Sequence, residues 1–168
     1  PLKEALPVLD AFNIDLKGFN DEFYRKHTKT KLEPVLEIIK IIAENKKHLE
    51  ITNLVITGLN DDENEFEEMV KWIAENGRET PLHLSRYFPQ YKMDAPPTSL
   101  EKLKKLYSIA KKHLHHVYLG NVSDSHRSST FCPTCGEMFL ERNRYNIELD
   151  PEFDGKCPKC GTTMNFIT

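Results

Sequence analysis

Two five-residue turns, Cys132-Pro133-Thr134-Cys135-Gly136 and Cys157-Pro158-Lys159-Cys160-Gly161, limit most what this chain can fold into. All four cysteines of its 168 residues lie in them, with 21 residues between Cys135 and Cys157. Two residues between thiolates let one tight turn present both sulfurs to a single ion. The proline stiffens the turn, and the glycine admits the positive φ that aims backbone amides at sulfur. Two such turns joined by a short hairpin complete a tetrahedral four-cysteine shell, and the pattern reads as a structural zinc site. Iron in the same thiolates is chemically allowed. Two disulfides would require an oxidising compartment, and no secretory hydrophobic segment is visible. A redox CxxC accounts for one pair but not for two.

The segment carrying these turns, residues 129–168, is near the limit of ~40 residues below which a domain needs a metal or disulfide to fold. The metal is therefore expected to supply much of its stability. The net charge of −3 with 29% charged residues argues against a nucleic-acid binder. No apolar run approaches the ~20 residues of a membrane span. Cysteines in metal spacing without a targeting segment point to a reducing cytoplasm. The chain begins with Pro1 rather than Met, and a strand is expected almost at once, so it reads as the C-terminal piece of something longer.

Residues 1–128 alternate between strand and helix patterns. Phe12, Ile14 and Leu16 share one face of a strand whose other face carries Asn13, Asp15 and Lys17. A short helix is expected over 21–27 and a firm one over 33–47. Strands are expected over 49–57, 82–88 and 117–119. A helix capped by Asp61 or Asp62 carries Phe66, Met69, Val70 and Ile73. A further helix is capped by a Thr98/Glu101 box, and 121–129 reads as a linker. This alternation implies right-handed βαβ units, a parallel sheet and about half of a (β/α)8 barrel. Asp15, Lys17, Glu50, Thr52, His83, Ser85 and Tyr87 suit a barrel interior lined for a polar ligand, with the site at the carboxyl ends of the strands.

Taken in order, five stretches resemble the C-terminal half of the radical SAM enzymes of the AmmeMemoRadiSam system, which are similar to pyruvate formate-lyase activating enzymes. They are Asn13-Ile-Asp15-Leu-Lys17-Gly18-Phe19, Glu50-Ile-Thr52-Asn53 through Gly58-Leu-Asn60-Asp61, Pro81-Leu-His83-Leu-Ser85-Arg86-Tyr87-Phe88-Pro89, Tyr118-Leu-Gly120-Asn121, and the two cysteine turns. The resemblance implies a partial radical SAM barrel over 1–128 and a rubredoxin-like zinc ribbon over 129–168. It implies S-adenosylmethionine bound on a [4Fe–4S] cluster and cleaved reductively to a 5′-deoxyadenosyl radical. The family's C-x3-C-x2-C cluster motif is absent from this sequence, so both cofactors are expected only with a further N-terminal half, and the chain alone is expected to be inactive.

By the same resemblance Lys17 pairs with the methionyl carboxylate, and Asp15, two residues back on the same face, is expected to orient Lys17 or to face the cofactor. Thr52 and Asn53 flank the cofactor, and His83 and Ser85 face it from the third strand. The partners implied are a protein substrate or Memo-type and AMMECR-type proteins. Open barrel edges suggest self-association. The competing reading is a non-catalytic zinc-ribbon module that docks a protein partner on an α/β scaffold.

Overall fold

Residues 2–164 are described by the computed structural model; Pro1 and residues 165–168, which end the two expected segments 1–128 and 129–168, lie outside the described residues. A four-residue helix, α1 (Leu2–Ala5), precedes β1 (Ala11–Asp15), which begins one residue before the expected Phe12 and ends two residues short of Lys17. Then come α2 (Asp21–Phe23) with a π-helical turn over Tyr24–Thr28, α3 (Glu33–Glu44), β2 (His48–Val55), α4 (Glu63–Asn76), β3 (Leu82–Arg86), α5 (Leu100–Ala110) and β4 (Val117–Gly120). The four strands pair in parallel in chain order, β1-β2-β3-β4.

The sheet has two unlike faces because its strands alternate. In β2, Leu49, Ile51 and Val55 are buried on one side, while His48, Glu50 and Thr52 stand half-buried on the other. The apolar side joins Ile39 and Ile42 of α3, Phe66, Met69, Val70 and Ile73 of α4, and Leu103 and Leu106 of α5 in one core. At ~1.5–3 kcal/mol per buried side chain, this core is what holds the sheet to its helices. A parallel sheet with one polar face differs from the doubly wound arrangement, in which both faces are apolar.

Two caps differ from the capping expected. Of the two aspartates before α4, Asp62 is the cap; its carboxylate accepts from the amides of Asn64 and Glu65, both at 3.0 Å, whereas Asp61 accepts from the Gly58 amide at 2.8 Å. The Thr98/Glu101 box is not formed. Ser99 caps α5 by accepting from the Lys102 amide at 3.1 Å. Thr98 is fully buried and donates its hydroxyl to the Val55 carbonyl. A side chain drawn into the core cannot also turn back to a helix end, so the cap passes to the next residue.

The expected linker 121–129 contains a short helix, α6 (Ser125–Ser128), capped by Asp124. The ribbon follows as an antiparallel sheet of β5 (Thr130–Phe131), β6 (Met138–Asn143) and β7 (Asn146–Leu149). Its buried cluster among the described residues is only Cys132, Phe139, Leu140, Cys157 and Met164.

Candidate metal centre and polar sheet face

The two cysteine turns have the same backbone design. The Gly136 amide donates to the Cys132 carbonyl at 2.9 Å, and the Cys132 amide to the Glu137 carbonyl at 2.8 Å. In the second turn Gly161 donates to Cys157 at 2.9 Å and Cys157 to Thr162 at 2.8 Å. Gly136 and Gly161 adopt φ of 74° and 72°, the left-handed conformation that glycine takes without strain. The four Sγ atoms lie within 4.8 Å of one another, with Cys132–Cys160 at 3.7 Å and Cys135–Cys157 at 3.5 Å, and all four are free thiols. An ion about 2.3 Å from each of four tetrahedral sulfurs sets them about 3.8 Å apart, so this shell fits one such ion.

The local field favours thiolates but cannot hold four of them unaided. The Thr162 hydroxyl, 3.2 Å from Cys160 Sγ, together with the Thr162 amide, pulls that thiol down to about 6. At Cys135 the Glu137 amide favours the thiolate, yet burial and the three other sulfurs push the group up to about 12. A cation at the centre resolves this repulsion, and the four cysteines form a group that can bind a metal. Lys159 reaches across to Glu137 at 2.7 Å, joining the second turn to the first, while Lys156 is exposed.

The second cluster is the polar face of the parallel sheet, and the structure distributes the expected site residues unequally over it. At its carboxyl end Lys17 Nζ pairs with Asp15 at 2.9 Å. Thr52 donates to Asn13 at 2.9 Å, and Ser85 lies opposite Gly120 in register. Asn53 points the other way. It is buried under the sheet beside Met69 and donates to the Leu16 carbonyl at 2.7 Å, fixing the end of β1 from behind. His83 is nearer the ribbon and pairs with Glu50 at 2.8 Å, and His48 takes the other oxygen of Glu50 at 3.1 Å. The His83 hydrogen bond, against the opposing effect of burial, holds the Glu50 carboxyl down at about 2.

Several residues of these networks are not singled out by sequence reasoning. Asn60 accepts from the Ile56 amide and donates to the carbonyls of Lys17 and Leu54, locking the loop after β2 to the end of β1. Glu65, from the first turn of α4, accepts from the Phe19 amide and from Asn20. The alternation His48-x-Glu50-x-Thr52 is an available signal for the histidine–glutamate pairing. Arg142 has no such signal: it comes from β6, yet its guanidinium carbon sits 5.2 Å from the Tyr118 ring centroid on the sheet.

No family model matches the chain. It is 42% identical to an uncharacterised protein of Methanocaldococcus jannaschii over 99% of this chain and 51% of that protein. It is 23% identical over 128 residues to pyruvate formate-lyase 1-activating enzyme of Escherichia coli K12, covering 69% of this chain and 52% of the enzyme. The chain thus spans about half the length of the curated relatives it matches. Among solved structures, a domain of pyruvate-formate lyase-activating enzyme from Bacteroides vulgatus superposes with a TM-score of 0.63 at 23% identity, covering 71% of this chain and 73% of that one. A radical SAM methyltransferase from Sphaerobacter thermophilus superposes with a TM-score of 0.57 at 15% identity, over 82% and 40%. The chain is therefore distantly homologous in sequence to pyruvate formate-lyase 1-activating enzyme over 69% of its length, and it shares the fold of these two solved structures.

Proposed function

We propose that this chain is the C-terminal half of a radical SAM enzyme of the glycyl-radical-activating type, as in AmmeMemoRadiSam systems, with residues 1–128 as part of the barrel and 129–168 as a structural zinc ribbon. The observation that carries this reading is the alignment with pyruvate formate-lyase 1-activating enzyme over 69% of the chain. In such enzymes a [4Fe–4S] cluster and S-adenosylmethionine supply a 5′-deoxyadenosyl radical. The residues of this chain do not fit the cluster: sulfurs 3.5–3.7 Å apart bracket one ion, not four irons, and no other cysteine exists. No radical step is therefore assigned to this chain alone.

Its own residues fit a supporting role. Lys17, held toward the polar face by Asp15, offers a cation for a carboxylate at the carboxyl end of β1. Thr52 and Ser85 offer hydroxyls on the same face, and Asn53 keeps the strand under Lys17 in place. His83, in register with Thr52 and tied to Glu50, contributes from the third strand. A cytoplasmic, reducing location suits four free thiols, and no helix among the described residues is long and apolar enough to cross a membrane. Protein substrates or Memo-type and AMMECR-type partners follow from the same reading.

The test is to express the chain together with its upstream coding sequence, reconstitute anaerobically with iron and sulfide, and assay 5′-deoxyadenosine. The longer protein is expected to turn over repeatedly and the 168-residue chain not at all. Repeated turnover by the short chain, or an upstream sequence without C-x3-C-x2-C, overturns the proposal. The exposed side chains of Tyr145 and Ile147 on the ribbon hairpin favour the second reading, a docking module without catalysis, which an inactive longer protein would support.

A further inference from the structure

A cavity of about 540 Å³ opens where β6 of the ribbon faces the amino-terminal half of the polar sheet face. Its walls differ in kind. Pro81, Phe139 and Met164 form an apolar side, and His48, Glu50, His83 and Arg142 form a polar one. A cavity of this size accommodates a small organic molecule.

Arg142 decides what kind. It is half-buried, and its Nη1 donates to the Ser128 carbonyl at 3.2 Å and to the Thr130 hydroxyl at 2.6 Å. Its guanidinium otherwise meets the Tyr118 ring, so its partners are uncharged. Among the described residues no carboxylate lies within ion-pair distance of it, and neither Nε nor Nη2 makes a hydrogen bond. A half-buried cation with only neutral partners is left short of compensation, and a guanidinium is best completed by a two-oxygen anion. The acidic residues of the lining do not supply it. Both oxygens of Glu50 are taken by His48 and His83, and Asp10 stands fully exposed at the rim, 3.9 Å from Lys47.

We propose that this cavity binds a small organic anion whose carboxylate or phosphate pairs with Arg142 and whose apolar body rests on Pro81, Phe139 and Met164. The cavity reaches the row of Thr52, His83 and Tyr118 on the sheet, and Lys17 is not among its lining residues. It shares His83 with the face assigned to the cofactor, but Arg142 has no part in that reading, so the two can fail separately.

Titration of the zinc-loaded 168-residue chain with benzoate, phenylphosphate, benzamide and benzylamine, followed by calorimetry and amide chemical shifts, tests it. Benzoate or phenylphosphate is expected to bind at least tenfold more tightly than the neutral and cationic analogues, with shifts clustered at His83, Tyr118 and Arg142. The tighter of the two anions identifies the acid group as carboxylate or phosphate. Arg142→Gln is expected to lower that affinity at least tenfold, and Arg142→Lys less. Zinc content and circular dichroism establish that each variant is folded. If Arg142→Gln does not fold, the benzoate-to-benzamide ratio on the unaltered chain decides. Equal binding of benzamide, unchanged affinity in folded Arg142→Gln, or no anion binding at millimolar concentration overturns the proposal.

Discussion

Gly120 and Ser85 face each other across β3 and β4 with no room to spare: a Cβ at 120 would meet Ser85 Oγ at 2.9 Å, while the Ser85 Cβ is 3.7 Å away. The backbone at 120 is ordinary, so the restriction is one of space. Gly120→Ala is expected to destabilise the sheet by about 1–3 kcal/mol, and adding Ser85→Ala should recover most of the loss, because only the hydroxyl is in conflict. Urea titrations of the two single variants and the double variant, followed by the single Trp72, measure this; a purely additive double variant would contradict it. Glu50 adds a pH effect. Its folded value of about 2 lies below the ordinary 4.5, so its contribution is fully present above pH ~4.5 and is lost as pH falls toward 2. The side chain is 33% exposed, and after allowance for solvent screening the contribution is about 1–2 kcal/mol. Glu50→Gln is accordingly expected to be less stable at neutral pH and to show a flatter acid limb in Trp72 fluorescence. An acid limb as steep as that of the unaltered chain would exclude Glu50 as its source.

At the scale of the elements, the same physics separates Thr98 from Ser99. Ser99→Ala removes a cap and is expected to cost about 1 kcal/mol, whereas Thr98→Val leaves the buried Val55 carbonyl without its donor and is expected to cost about 1–3 kcal/mol. Thermal unfolding of both variants checks the order, and a larger loss at Ser99 would restore Thr98 to the cap. Sequence spacing favours Thr98 because Glu101 follows it by three. Period alone does not reveal that a hydroxyl can reach a carbonyl 43 residues away. The sheet is legible for the opposite reason: Leu49, Ile51 and Val55 alternate with His48, Glu50 and Thr52, and alternation fixes which face is buried. The same alternation puts Asn53 and Thr52 on opposite faces, although the family resemblance groups both as cofactor neighbours. The cysteine shell is legible down to its ligands because spacing and turn chemistry are local. The pairing of Arg142 with Tyr118 crosses two sheets and leaves no local trace.

At the scale of the molecule, the two sheets are expected to differ in what sustains them. The parallel sheet rests on a large apolar core, while the ribbon's apolar cluster among the described residues is small, and a structural metal such as zinc contributes on the order of 10 kcal/mol to the folding of such a unit. Chelation is therefore expected to abolish hydrogen-exchange protection across β5–β7 and to leave Trp72 fluorescence native. Retained ribbon protection in metal-free protein would show that the ion is not structural.

The open sheet carries the last expectation. β1 and β4 are its edge strands, and they are not equally guarded. Beside β4 lies α6, whose Ser128 donates to the Leu119 carbonyl at 3.1 Å. Beyond β1 no strand pairs among the described residues, and its edge is broken only by the Asp15–Lys17 ion pair at its end, with no proline inside it. An edge left open with half-buried Phe12 and Ile14 invites a second strand. The chain is accordingly expected to self-associate at micromolar concentration through β1. Sedimentation velocity over a hundredfold concentration range should show a rising average mass, and hydrogen exchange should show β1 amides gaining protection over the same range while β4 amides do not change. A monomer at every concentration, with β1 amides already protected, would mean that the strand is covered within a single chain and that the sheet is a self-contained scaffold.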